Sequence, residues 1–188
     1  MRLTEEEAGR RLGAARVLRL ATVGPGGAPH QVPATFACYA APGGGTRIAI
    51  AVDHKPKRHR NLRRLRNIEE RPRVCVLADE YSDDWERLWW VRADGTARVL
   101  AAPAGGPAAG PGAPTAGPGA GAAGPGAGVA GPGAGASPSA AGDAGERTRA
   151  LDLLAAKYPQ YRERRPDGPV IVIEVERLTG WAYADPVG

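Results

Sequence analysis

The segment from Ala101 to Ala144 restricts the fold more than any other part of the chain, because it consists almost entirely of Ala, Gly and Pro. It has no amphipathic period, offers little side-chain area to bury, and contains many glycines that lose conformational entropy on ordering. The Gly-X-Y period of collagen is not sustained. We therefore predict a disordered insertion at residues 101–144. The remaining residues, 1–100 and 145–188, amount to a single domain of roughly 145 residues.

The remaining composition excludes several classes of protein. Cys38 and Cys75 are isolated, so neither a disulfide scaffold nor a metal site is predicted from them. The N-terminus, MRLTEEEAGRRL, lacks the apolar core of a signal peptide. The sequence contains no run of about 18 apolar residues, the length that a membrane-spanning helix needs. We therefore expect a soluble cytoplasmic protein without a membrane partner.

Short apolar runs predict a mainly β fold of the α+β class. The predicted strands are VLRLATV, APHQVPATFACYA, RIAIAVD, RVCVLAD, the two halves of LWWVRADGTARVL around an Asp94-Gly95 turn, and GPVIVIEVERLTGWAY. The predicted helices are LTEEEAGRRLGAAR, capped by Thr4, a segment from Pro56 to about Glu70, and ERTRALDLLAAKY. About six or seven antiparallel strands with two or three helices indicate a barrel.

The second of these strands carries two prolines. Pro29 and Pro33 have no amide hydrogen to donate to a sheet. The strand is therefore predicted to lie at a sheet edge, or to bulge where a ligand approaches.

Positive charge is concentrated after the strand RIAIAV, where seven of the 25 Lys and Arg residues lie between Lys55 and Arg66. A helix that begins there would present free N–H groups and a positive dipole end, both of which favour a phosphate group. We assign Lys55, Lys57 and Arg58 to such a site and expect the later arginines, Arg60, Arg63, Arg64 and Arg66, to form a solvated face. Nucleic-acid binding is disfavoured because no helix-turn-helix pattern precedes the segment.

Motifs for direct side-chain catalysis are missing. The sequence has no Ser-His-Asp arrangement, HExxH, P-loop or GxGxxG after a strand, and His30, His54 and His59 lack metal-ligand spacing. We therefore predict no catalytic side chain and no metal ligand, a pattern typical of enzymes whose cofactor supplies the chemistry. A cluster of tryptophans, Trp85, Trp89 and Trp90, is expected to be core or dimer interface, or else the wall of a site for a planar ligand.

Three stretches resemble the pyridoxamine 5'-phosphate oxidase-like family of flavin- and deazaflavin-binding split β-barrels. They are RLATVGPGGAPHQVPATFA, KRHRNLRRLRNIEERPRV and WWVRADGTARVL. In more detail, AVDHKPK, DDWERLWWVRADG and GPVIVIEVERLTGW are similar to an actinobacterial subgroup of oxidoreductases that depend on coenzyme F420. The similarity extends over nearly all of the chain outside the insertion.

The resemblance implies a cofactor groove at a two-fold homodimer interface in an FMN-binding-like split barrel. It implies that Lys57 and Arg58 hold the cofactor phosphate, with Lys55 assisting, and that Asn61 also binds the cofactor. It further implies that residues Val32, Pro33, Ala34 and Thr35 lie along the ring. The implied activity is hydride transfer between F420 and a small organic substrate. FMN is the alternative cofactor within this fold, and a non-catalytic binder of a flavin or tetrapyrrole is the alternative of a different class.

Overall fold

The computed structural model describes residues 1–52, 62–103 and 140–184 of the 188-residue chain. Its elements, in chain order, are α1 (Glu5–Ala14), β1 (Leu18–Val23), β2 (Pro29–Ala34), β3 (Ala37–Ala40), β4 (Thr46–Ala51), α2 (Arg63–Glu70), β5 (Arg73–Glu80), a 3₁₀ turn (Trp85–Arg87), β6 (Trp89–Leu100), α3 (Ala140–Lys157), α4 (Pro159–Glu163) and β7 (Val170–Ala182). The mainly β prediction with helices is confirmed. None of the described helices is both long enough and apolar enough to cross a bilayer.

The strands form one seven-stranded antiparallel sheet in the order β2-β1-β5-β6-β7-β4-β3. The long strands β6 and β7 pair along their whole length and form its centre. The three strands β5, β1 and β2 extend the sheet from β6, while β4 and β3 extend it from the first half of β7. This arrangement agrees with the split-barrel fold predicted from the sequence.

The first helix begins where its capping residue predicts. Thr4 has an extended backbone and its Oγ1 accepts a hydrogen bond from the Glu7 amide at 3.2 Å. The Glu7 carboxylate accepts from Arg10 and Arg11, one turn further along the helix. Local sequence therefore determines this helix start, because donor and acceptor are three residues apart.

Strand β2 lies at the edge of the sheet, as its prolines predict. It pairs with β1 from Leu18↔Ala34 to Val23↔Pro29. The turn between β1 and β2 contains Gly27 with φ of 79°, a conformation that favours glycine. The predicted strand APHQVPATFACYA is divided, however, because Thr35 and Phe36 form a corner after which β3 joins the opposite end of the sheet.

The predicted hairpin turn at Asp94-Gly95 is wrong, because β6 continues through both residues as one strand. A β-bulge at this point shifts the register against β7. A Cβ atom on Gly95 would lie 2.1 Å from the Glu174 carbonyl oxygen, so the glycine permits close packing of two backbones. Pairing with β5 and β7 on both sides holds the strand extended.

Two hydrophobic cores lie against the sheet. The main core packs α1 and α2 residues such as Leu12 and Ile68 against sheet residues such as Leu20, Val76 and Ile171. The second core lies beneath α3 and α4, where Leu151, Leu154, Tyr158 and Tyr161 pack against β3, β4 and the start of β7. The helix that follows the Ala/Gly/Pro-rich segment is thus part of the domain. It begins at Ala140, inside the segment 101–144 that was predicted to be an insertion.

Candidate functional site

The candidate ligand strand is β2, at the open edge of the sheet. Val32 and Ala34 are half-buried and pack against the main core, whereas Pro33 is exposed. Among the described strands only β1 pairs with β2, so polar backbone groups on its other side remain available. The structure therefore brings three of the residues expected along the ring into one strand and places Thr35 directly after it.

The corner between β2 and β3 is fixed by the end of α3 and by α4. The Thr35 Oγ1 and Tyr161 hydroxyl oxygens are 2.7 Å apart. The Tyr158 hydroxyl accepts a hydrogen bond from the Phe36 amide at 3.1 Å and lies 2.8 Å from the Arg16 carbonyl oxygen. These contacts join residues more than a hundred positions apart in the chain, and the sequence analysis did not predict them.

A lysine covers the same corner. Lys157 Nζ lies 4.0 Å from the centre of the Phe36 ring and donates to the Gly13 carbonyl oxygen at 2.9 Å. Burial lowers the pKa of Lys157. Burial also raises the pKa of the nearby Cys38 thiol to about 11, so that this thiol is protonated and weakly nucleophilic at neutral pH. The corner is therefore a packed structural junction rather than a covalent catalytic centre.

The predicted phosphate-binding residues Lys55, Lys57, Arg58 and Asn61 lie outside the described residues. The predicted helix boundary is nevertheless wrong. Leu62 has an extended backbone and α2 begins at Arg63, whereas the sequence predicted a continuous helix from Pro56.

Two described basic residues close to His30 of β2 are Arg63 and Arg64, in the first turn of α2. The pKa of His30, on β2, is lowered first by burial and then by the positive charges of Arg63 and Arg64. The sequence analysis expected these arginines to form a solvated face. Their position shows that positive charge also lies beside the candidate ligand strand.

A buried polar pair fixes α2 against the sheet. Asn67 Nδ2 donates to Thr22 Oγ1 at 2.9 Å, and both residues are almost fully buried. The side chain of Arg71 donates to the Pro25 carbonyl oxygen in the β1–β2 turn at 2.8 Å. These bonds hold α2 against β1 and against the turn between β1 and β2. A buried asparagine cannot be recognised from sequence alone, because its type is more common on surfaces.

The three neighbouring tryptophans do not form a single cluster. Trp89 packs against the main core, and its Nε1 donates to Glu80 Oε2 at 3.2 Å. Trp90, the next residue on the strand, faces the other side of the sheet and pairs in register with Trp181. Trp85 is 62% exposed and makes an edge-to-face contact with Tyr183, which is itself 50% exposed. The core interpretation is therefore confirmed for Trp89 only.

We name Trp85, Trp90, Trp181 and Tyr183 the aromatic face. Tyr183 also contacts Trp181 edge-to-face, with ring centres 6.4 Å apart. A group of exposed aromatic side chains of this kind is typical of a surface that binds another molecule.

A groove of about 360 Å³ lies elsewhere, between the end of α2 and the second half of β6. Its lining includes Ile68, Pro72, Ala97 and Val99, and none of the predicted site residues. Within the described ranges, no group of His, Cys, Asp and Glu is arranged to hold a metal ion.

Comparisons with solved structures show the same fold. A FAD-binding protein from Mesorhizobium loti is 19% identical, with 96% of this chain and 95% of that chain covered and a TM-score of 0.55. A conserved hypothetical protein from Mycobacterium tuberculosis is 16% identical, with coverage of 96% and 85% and a TM-score of 0.57. The heme storage protein HutZ from Vibrio cholerae is 14% identical, with coverage of 97% and 95% and a TM-score of 0.52. At these identities the likeness concerns the fold alone.

The comparison with curated proteins returned no match. A family model described as pyridoxamine 5'-phosphate oxidase matches residues 4–108, which is more than half of the chain. The matched region runs from the cap of α1 through β6 and includes the candidate ligand strand. The chain therefore belongs to the pyridoxamine 5'-phosphate oxidase family.

Proposed function

We propose that this protein is a cytoplasmic oxidoreductase that binds the deazaflavin coenzyme F420 along β2 and transfers hydride to or from a small organic substrate. The observation that carries the proposal is the open edge of β2, at the predicted position in a member of a flavin-binding family. Edge strands offer unpaired amide and carbonyl groups at fixed spacing, which suits the polar rim of a flat tricyclic ring. The half-buried Val32 and Ala34 and the hydroxyl of Thr35 fit such a ring.

The phosphate end of the cofactor is assigned to Lys57, Arg58 and Asn61, with Lys55 assisting. These residues precede α2, whose first turn holds Arg63 and Arg64 beside β2. A cofactor phosphate between the two groups would receive charge-assisted hydrogen bonds. Positive charge beside the ligand strand thus supports the assignment.

When bound, the deazaflavin supplies the hydride or accepts it. The protein then needs to bind the ring, orient one face of it toward the substrate, and exclude water and competing oxidants. The described side chains match this limited task. Burial keeps Cys38 protonated, and His30 is held toward its neutral form by burial and neighbouring arginines.

FMN is the second candidate cofactor. It has the same kind of ring and a terminal phosphate, and a FAD-binding protein shares the fold. The choice of F420 over FMN rests on the resemblance of DDWERLWWVRADG and GPVIVIEVERLTGW to the F420-dependent subgroup.

The decisive experiment is a titration of the purified protein with F420, FMN and FAD, followed by quenching of tryptophan fluorescence. We expect saturable binding of F420, weaker binding of FMN, and oxidation of reduced F420 in the presence of an activated alkene. Tight FMN binding without F420 binding would replace the first proposal by the second. Tight binding with no turnover of any substrate would instead support a non-catalytic carrier. Binding of none of the three, together with salt-dependent binding of DNA, would overturn both.

We further propose a homodimer in which the aromatic face is covered by a second copy. The proposal is supported by the exposure of Trp85 and Tyr183 on a small domain. Light scattering should give about twice the chain mass of 19.5 kDa, in line with the closed two-fold symmetry of most small assemblies. Substituting serine for both residues should produce monomers. A wild-type monomer that binds cofactor at full affinity would contradict this proposal.

A further inference from the structure

The hydrogen bond between Thr35 and Tyr161 joins the candidate ligand strand to a part of the chain outside the family match. Tyr161 lies on α4, beyond residue 108, and is only 6% exposed. Its hydroxyl has no second hydrogen-bond partner among the described residues, so the 2.7 Å contact with Thr35 satisfies it. Thr35 is half-buried, so part of this residue is accessible at the end of β2.

Either hydroxyl could donate in this bond. A phenolic hydroxyl is a better donor than an aliphatic hydroxyl. We therefore take Tyr161 as the donor and Thr35 Oγ1 as the acceptor. The hydroxyl hydrogen of Thr35 is then left for a different acceptor, and a threonine hydroxyl that accepts one bond becomes a stronger donor of the next.

Neighbouring contacts hold the corner between β2 and β3 in place, so the Thr35 hydroxyl can keep a fixed direction. The Phe36 backbone is held by the Tyr158 hydroxyl through its amide at 3.1 Å and its carbonyl oxygen at 2.9 Å. Lys157 covers the Phe36 ring, and Phe36 is fully buried. The residue after Thr35 thus has little freedom, so the Thr35 hydroxyl has a defined position at the end of β2.

We infer that Tyr161 is a positioning residue: its hydroxyl orients Thr35 so that the Thr35 hydroxyl donates a hydrogen bond to a carbonyl oxygen or ring nitrogen of a flat heteroaromatic ligand lying along β2. This inference rests on the proposed function, since it takes β2 as the ligand strand. It adds the Thr35 hydroxyl as a specific hydrogen-bond donor to the ligand. It also assigns a ligand-positioning role to the segment that follows the Ala/Gly/Pro-rich stretch.

The test uses the full chain with FMN and F420 as probes and compares Tyr161→Phe, Thr35→Val and Thr35→Ser. Affinity is measured by fluorescence titration, and the visible absorption band of the bound probe reports hydrogen bonding to its ring. Tyr161→Phe and Thr35→Val should each weaken binding by about two- to tenfold, the effect of one lost hydrogen bond. Both should shift the absorption band in the same direction. Thr35→Ser keeps the hydroxyl and should match the wild type.

The double variant Tyr161→Phe/Thr35→Val should bind no more weakly than Thr35→Val alone, because Tyr161 acts through Thr35. Tyr81→Phe is the matched control, since Tyr81 is 71% exposed and loses the same atom. Circular dichroism checks that each variant folds, and the Thr35 variants keep the test valid should Tyr161→Phe fail to fold.

Each failure has its own signature. If the wild type binds a probe while both Tyr161→Phe and Thr35→Val leave affinity and absorption unchanged, the positioning role is wrong and the proposed function stands. A loss of thermal stability without a shift of the absorption band would show that the bond is structural only, which also overturns the inference. If the wild type binds neither probe, the proposed function itself fails and the positioning role falls with it.

Discussion

Replacing Glu146 by alanine should lower the free energy of unfolding by about 2–4 kcal/mol, because this carboxylate joins α3 to three strands. It accepts hydrogen bonds from Tyr39 on β3, Arg47 on β4 and Arg98 on β6. Arg98 also binds Asp143 at 2.8 Å, at the start of the same helix.

The magnitude follows from burial. The Glu146 side chain is 12% exposed, while those of Arg47 and Arg98 are 17% and 32% exposed. Removing one partner of a fully buried ion pair costs about 3–5 kcal/mol, and a single hydrogen bond to a charged group contributes about 1.5–3 kcal/mol. Because both arginines keep some contact with water, we expect a value between these two limits.

The assay is urea unfolding followed by tryptophan fluorescence. Asp152→Ala is the matched control, because Asp152 lies on the same helix and pairs with Arg165 at 2.6 Å, but the two side chains are 60% and 45% exposed. This surface pair should contribute no more than about 1 kcal/mol. If Glu146→Ala costs no more than Asp152→Ala, the burial argument is refuted.

The same carboxylate predicts a dependence on pH. Burial alone would raise the pKa of Glu146, but the hydrogen bond from Tyr39 and the charges of Arg98 and Arg47 outweigh it and lower the pKa below its ordinary value of 4.5. A carboxylate with a lowered folded-state pKa stabilises the fold above the unfolded-state pKa, and this contribution is lost as pH falls through the folded-state value. The difference in unfolding free energy between the wild type and Glu146→Gln should therefore be constant near neutral pH and shrink below pH 4.5. A difference that grows on acidification would contradict this sign.

Three further predictions address the ligand site, the Ala/Gly/Pro-rich segment and the sheet. Lys57→Ala and Arg58→Ala should each weaken F420 or FMN binding by about 10- to 100-fold, whereas Arg162→Ala, on an exposed part of α4, should not. Riboflavin lacks the phosphate, so the variants and the wild type should bind it alike. Equal FMN affinities of the wild type and all variants would exclude phosphate binding by Lys57 and Arg58. Replacing residues 104–139 by a short Gly/Ser linker should leave both the melting temperature and cofactor affinity nearly unchanged, and a large loss of either would show that the segment belongs to the fold or the site. Gly95→Ala should lower the unfolding free energy by about 1–3 kcal/mol, since its Cβ would lie 2.1 Å from a carbonyl oxygen of β7; unchanged urea unfolding would contradict this close packing.

Features set by short-range chemistry could be predicted from the sequence. Thr4 caps α1 through an amide three residues away, and Pro33 confines β2 to an edge because proline has no amide hydrogen. The mainly β fold class, with about six or seven strands, and the family were also predictable, since alternating apolar residues and the three family-like stretches lie within contiguous sequence. Each of these depends on neighbouring residues and needs no knowledge of the rest of the chain.

The errors share a different origin. Asp94-Gly95 has the composition of a hairpin turn, but strands on both sides pair with β6 and keep it extended. The sequence predicted one continuous helix from Pro56, but α2 begins at Arg63 and is held against β1 by the buried bond from Asn67 to Thr22, which joins residues 45 positions apart. Neither competing interaction is visible within a window of neighbouring residues.

In the candidate site, too, some features depend on neighbouring residues and others depend on contacts between distant residues. The sequence predicted Val32 to Thr35 as ligand residues because an edge strand with prolines and its family resemblance lie within one short stretch. The partner that fixes Thr35 could not be assigned, because Tyr161 is 126 positions away and reaches it only after α3 packs over the second core. Sequence by itself thus determined that β2 lies at the sheet edge, whereas long-range packing determined how the end of that strand is held, because a hydrogen bond between distant residues forms only where the whole fold brings them together.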